Sequence, residues 1–154
     1  MKKLFTISAL LFCIITNAQN FVWAKQLGGA GPDLASSICT DASGNVYTAG
    51  TFSGTADFDP GASSFPLTST AGGYDMYVSK LNSAGVFQWA VKVGNASTEY
   101  LNGIATDPSG NVYATGSFSG TVDFDPSPRK RSCRIHITTC ICTNRSGNIN
   151  RWAT

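Results

Sequence analysis

The chain has 154 residues, with 13% charged, 11% aromatic and 16 glycines. That length holds one domain at most, and abundant Thr, Val, Ser and Asn lean toward β-structure with many turns. The net charge of +2 averages two unlike regions: residues 19–127 carry three lysines (Lys25, Lys80, Lys92) against nine acids, net −6, whereas residues 128–154 carry six Arg or Lys and no acid. The basic balance therefore belongs to the tail and gives no support for a nucleic-acid partner.

In chain order, Lys2 and Lys3 precede an apolar stretch from Leu4 to Ile15, and Thr16-Asn17-Ala18 supplies small residues for cleavage. This is the pattern of a secretory signal helix, cut after Ala18. About a dozen apolar residues are too few for a permanent bilayer span, so no membrane span is expected after cleavage. Cys13 does not fit a lipid-anchoring position, since bulky Phe12 precedes it and Ile14 and Ile15 follow it. The expectation is an exported chain, secreted or held at the cell surface.

Residues 21–27 (Phe-Val-Trp-Ala-Lys-Gln-Leu) and 87–93 (Phe-Gln-Trp-Ala-Val-Lys-Val) both predict strands that end at glycine. Leu34–Thr40 and Leu101–Thr106 predict short strands, each entering a turn at Asp41-Ala42-Ser43-Gly44-Asn45 or Asp107-Pro108-Ser109-Gly110-Asn111. In such a turn Asp accepts backbone N–H bonds, Pro presets φ, and Gly or Asn takes positive φ. Val46–Phe52 and Val112–Phe118 are the return strands. Asp75–Leu81 and Val86–Val93 follow, joined by Asn82-Ser83-Ala84-Gly85. Between these pairs lies an insert, residues 53–73, that predicts a short extra strand pair.

The strands recur with a fixed period. Residues 41–60 and 107–126 are 66 positions apart without insertion, and 15 of their 20 positions are identical. A period of this size marks a repeated supersecondary unit. Four antiparallel strands per unit, repeated in tandem, is the plan of a β-propeller blade. The blocks Asp-x-Ser-Gly-Asn-Val-Tyr, then Gly-x-Phe-Ser-Gly-Thr-x-Asp-Phe-Asp-Pro, then the run from Tyr74 to Ala90 occur in order. In this combination residues 20–127 resemble the SBBP family of β-propeller repeats. The resemblance implies an exported bacterial protein with a structural or binding role at the cell surface, and it carries over no catalytic residue.

The expected fold class is therefore all-β, with antiparallel four-stranded propeller-like blades behind an N-terminal signal helix. The set of blades is incomplete, about one full blade from Leu34 to Val93 plus parts of two. Propellers close with four to eight blades, and repeat arrays need about three units to cover a core, so further blades from a longer parent chain are expected partners. After Pro126 the acids vanish, Arg surges and three cysteines appear. Yet residues 146–153 resemble 83–90 at an offset of 63. The expectation is a truncated or frame-disturbed continuation, dividing the chain into a signal peptide (1–18), a repeat region (19–127) and an aberrant basic tail (128–154).

The candidate sites are few. Asp57 and Asp59, with their counterparts Asp123 and Asp125, are carboxylates two residues apart. They either bind calcium, with Asp41 or Asp107 as extra donors, or cap a strand-ending turn in which Phe packs inward. Cys133, Cys140, Cys142 and His136 lack the paired C-x₂₋₄-C spacing of structural zinc. Cys39 faces Ala105 in the repeat, so no repeated disulfide exists. Arg129-Lys130-Arg131 is a solvated charge run in an exported chain. His136 is the one histidine, which excludes a Ser-His-Asp triad within the repeats. A carboxylate-pair hydrolase stays conceivable, although Asp residues repeated in every unit favour structure. Trp23, Trp89, Tyr47 and Tyr113 either stack sugars or form an inter-blade core. Two functions remain: a non-enzymatic exported repeat fragment that binds protein or glycan, or the accessory propeller of a secreted hydrolase. A third possibility is a fragment with no independent function.

Overall fold

The computed structural model describes residues 21–71 and 73–122, together with the backbone of 135–136. The signal segment and the helix expected there lie outside the described residues. Among the described residues every regular element is a strand, so no helix is long and apolar enough to cross a membrane.

In chain order the strands are β1 (Gly28–Gly29), β2 (Asp33–Thr40), β3 (Val46–Phe52), β4 (Thr55–Asp57) and β5 (Pro66–Thr68). They continue with β6 (Asp75–Leu81), β7 (Phe87–Val93), β8 (Tyr100–Thr106), β9 (Val112–Ser117) and β10 (Ile135–His136). The complete unit is the four-stranded sheet β2-β3-β6-β7, antiparallel throughout. Its bounds match the expected blade from Leu34 to Val93. The insert folds into the expected short pair, β4 with β5, and β1 joins its free edge.

Residues 21–27 depart from expectation, for they form no strand. A lone strand without a ladder partner has little to hold it, and here the segment lies over the complete sheet instead. The Trp23 indole N–H donates to the Ser83 carbonyl oxygen at 3.1 Å, and Leu27 packs against the Phe52 and Phe58 cluster.

Strand alternation gives the complete sheet two apolar faces. The register puts Tyr47, Ala49, Met76, Val78 and Val93 on one face, where they meet Leu101, Val112 and Ala114 of the second unit in a single core. The opposite face carries Phe52, Tyr77 and Ala90, covered by Ala56, Phe58 and Leu67 of the insert region. Phe52 stands edge-on to Phe58 at 5.4 Å and to Tyr77 at 6.3 Å between ring centroids. Each large side chain buried this way is worth about 1.5–3 kcal/mol. The blade is thus packed from both sides, as tandem blades must be.

The second unit reproduces the first in detail. The β2–β3 register shifts between Ala35 and Ser37, and the β8–β9 register shifts between Leu101 and Gly103, 66 residues on. Each bulge brings a carbonyl of the first strand over a glycine of the second. A Cβ at Gly50 would overlap the Leu34 carbonyl oxygen, and one at Gly116 would overlap that of Tyr100. The repetition stops at the outer edge of β9. There β10 pairs in parallel, Ile135 with Val112 and His136 with Tyr113, where β3 receives β6 antiparallel.

Candidate functional site

The doubled motif builds its turn from one carboxylate. Asp41 Oδ1 accepts from the backbone N–H of Ser43 (2.9 Å) and Asn45 (3.0 Å). Its Oδ2 accepts from the Asn45 side-chain amide (2.8 Å) and the Tyr47 hydroxyl (3.0 Å). Asp107 repeats all four bonds with Ser109, Asn111 and Tyr113, at 2.7 to 3.1 Å. Gly44 and Gly110 take φ of 75° and 80°, the left-handed region that glycine adopts without penalty. The Asn45 amide bond holds the Asp41 carboxyl down at about 2, helped by the Asn45 and Ser43 N–H groups and the Tyr47 hydroxyl, against the opposing effect of desolvation. Lys80 adds its ammonium at 3.8 Å from Asp41 and 4.9 Å from the Tyr47 ring centroid.

Asp57 and Asp59 likewise accept backbone N–H bonds, each through one oxygen. Asp57 ends β4, and its Oδ1 accepts from Asp59 N–H (3.0 Å) and Phe65 N–H (2.8 Å). These bonds, the Phe65 one foremost, hold its carboxyl below the usual carboxylate pKa. Asp59 Oδ1 accepts from Gly61 N–H at 2.8 Å, and Phe58 between them points into the core, 1% exposed. These bonds form the capped turn, with Phe58 packed inward. Asp123 and Asp125 lie outside the described residues, as do the side chains of Cys133, His136, Cys140 and Cys142. Among the described residues no three His, Cys, Asp or Glu side chains gather as a metal would need. Cys39 is a free, half-buried thiol whose pKa is pushed up by burial.

The structure brings together a group of charges that motif reading passed over. Asp75 is fully buried, and its Oδ2 accepts from the Thr70 N–H (2.9 Å), the Thr70 hydroxyl (3.1 Å) and the Lys92 ammonium (2.7 Å). Glu99, also fully buried, closes its own loop by accepting from Asn95 N–H at 3.1 Å. Asp75 Oδ1 and Glu99 Oε1 have no partner. Burial is the first cause that pushes the Glu99 carboxyl up, and the nearby Asp75 charge adds to it. A signal was present in the sequence: Asp75 opens the strand Asp75–Leu81, and Glu99 stands 66 residues after Asp33, which likewise accepts from Gly29 N–H at 2.7 Å. Beside Asp75 an open groove of about 400 Å³ is lined by Ser53, Gly54, Ser69, Thr70, Tyr74 and Thr98, among others.

Tyr47 and Trp89 take the core role expected for the repeated aromatic residues. Tyr47 is 1% exposed and meets Trp89 edge-on at 6.0 Å, inside the core shared by the two units. Trp23 and Tyr113 are half-buried.

Residues 22–58 and 88–117 match the family model described as SBBP, a β-propeller repeat. The two matched stretches begin 66 residues apart, the period of the repeat. Over 111 residues the chain is 28% identical to an uncharacterized WD repeat-containing protein of Acanthamoeba polyphaga mimivirus. That match takes in 64% of this chain but 8% of the viral protein, so the chain spans a small part of its relative. No solved structure matches the chain.

Proposed function

We propose, from the match of residues 22–58 and 88–117 to the SBBP β-propeller repeat, that the chain is an exported, non-enzymatic repeat module. It serves a structural role or binds protein or glycan at the cell surface, alongside further blades of a longer parent. One observation supports this reading: the carboxylate that opens the doubled turn is used up in turn geometry, with the same four bonds to Asp41 in the first unit and to Asp107 in the second. A group committed to four hydrogen bonds in every unit serves folding, and catalysis needs a group free to meet substrate. Binding then falls to surfaces outside these turns.

Address and role are tested together by fractionating bacteria that express the chain with and without residues 1–18. The expected result is a product accessible to external protease only when residues 1–18 are present, and shortened at its N-terminus. A full-length cytosolic product in both cases would refute export. The accessory-hydrolase alternative is favoured if the adjoining coding sequence carries a hydrolase domain.

A further inference from the structure

The turn carboxylates are spent, but one group of hydroxyls is not, and it lies where the two units meet. The groove beside Asp75 has a volume of about 400 Å³, within the range of about 300–1,000 Å³ usual for ligand sites. Ser53 and Gly54 line it from the turn between β3 and β4. Ser69, Thr70 and Tyr74 line it from the segment between β5 and β6, and Thr98 from the segment before β8. Backbone bonds hold these three stretches together. Ser69 N–H donates to the Gly54 carbonyl oxygen at 2.9 Å, and Glu99 N–H donates to that of Tyr74 at 2.8 Å. A Cβ at Gly73 would overlap the Ser97 carbonyl oxygen, so the segment before β8 lies directly against the loop that precedes β6. The groove therefore sits between the units and not on an outer blade face.

Its chemistry is set by what the lining holds and what it lacks. Among the described residues the hydroxyls of Ser53, Tyr74 and Thr98 have no hydrogen-bond partner. Ser69 Oγ accepts from Gly54 N–H at 2.9 Å, which leaves its own hydrogen to donate. Thr70 is fixed in place, since its hydroxyl donates to Asp75 and accepts from the Lys92 ammonium at 3.2 Å. No charged side chain lines the groove, and the nearby charges of Asp75 and Lys92 are paired with each other at 2.7 Å. An ionic ligand would find no counter-charge there. Nor would an apolar anchor of a protein partner find a pocket of large apolar side chains. Hydroxyls both donate and accept, which suits a ligand made of hydroxyls. The Tyr74 ring adds one apolar face with a polar tip.

We propose that this groove binds a neutral saccharide, with Tyr74 against a sugar face and the hydroxyls of Ser53, Ser69 and Thr98 bonded to sugar hydroxyls. The inference rests on the binding role proposed above and names its ligand class. Thr98 stands where the first unit has Pro32, so this lining is not a constant of the repeat, unlike the turn carboxylates.

Native affinity electrophoresis of the purified chain tests it, in gels that hold dextran, mannan, xyloglucan or laminarin, with alginate and polygalacturonate as acidic counterparts. The expected result is retardation by at least one neutral polymer and by neither acidic one. Thr98→Val removes a hydroxyl at nearly constant volume and should weaken the retardation about tenfold, the worth of roughly one hydrogen bond. Tyr74→Ala should abolish it, with an unchanged circular dichroism spectrum showing that the variant folds; should it not fold, Thr98→Val decides alone. A folded chain that no neutral polymer retards overturns the proposal, as does retardation by the acidic polymers alone. Retardation by a neutral polymer that both substitutions leave unchanged overturns the groove while leaving the glycan-binding role in place.

Discussion

Asp41 and Glu99 are carboxylates that burial and hydrogen bonding push in opposite directions, and their effects on stability have opposite signs. The Asp41 carboxyl is held at about 2 in the fold against about 3.9 in an unfolded chain. Its contribution is therefore complete above pH 4 and is lost as pH falls through the range between the two values. Asp107, lowered mainly by Asn111, acts in the same sense. Thermal unfolding followed by circular dichroism should show a melting temperature that drops steeply below pH 4, and the drop should be shallower in Asp41→Asn. Glu99 is raised instead, so its contribution is present at acid pH and is lost as pH rises through its folded value. Glu99→Gln is expected to raise the melting temperature at pH 7 and to change it little at pH 4. A lower melting temperature at pH 7 would show that the charged form is the one the fold needs. The turn carboxylates were legible in the sequence, because Asp-x-Ser-Gly-Asn states its own hydrogen bonds. The burial of Asp75 and Glu99 was not, because it depends on two segments meeting across the unit boundary.

At the scale of strands and turns, glycine separates two kinds of demand. Gly110 holds a φ of 80° with open space around its Cα. Gly110→Ala should therefore cost only the left-handed penalty, about 1–2 kcal/mol, read as a shift in the urea midpoint. Gly50 sits beneath the bulge of β2, where an added Cβ would overlap backbone. Gly50→Ala is expected to abolish the cooperative transition. Equal effects from the two substitutions would refute the distinction. Phe52→Ala removes the ring at the centre of the second cluster and should cost about 3–5 kcal/mol. The strand order of the blade was readable from alternation and turn residues. The failure of residues 21–27 to form a strand was not, because strand propensity needs a neighbouring ladder that this stretch does not meet.

For the whole molecule, the core between the units is the element on which each unit depends. Residues 21–94 alone would uncover Tyr47, Ala49, Met76, Val78 and Val93, the face that the second unit covers. Such a fragment is expected to bind a dye specific for exposed apolar surface and to lose its sharp melt. A fragment that melts cooperatively without dye binding would show the first blade to be self-sufficient. The period of 66 residues disclosed this arrangement in outline, since repeats of that length cannot bury their faces alone.

The Asp-Ser-Gly-Asn turn has a consequence for how the chain finds its fold. Tandem units with 15 of 20 identical positions invite partner exchange, in which β2 pairs with β9 in place of β3. Such misassembly is a characteristic failure of repeat proteins. The turn places β3 five residues after β2, whereas β9 lies some seventy residues away. Loops of about ten residues close within ~10–100 ns, while distant partners pay a larger closure entropy. Four hydrogen bonds to one carboxylate then hold the near pairing once it forms. The turn is in this sense a proofreading device: it commits each strand to its own unit before the copy can compete.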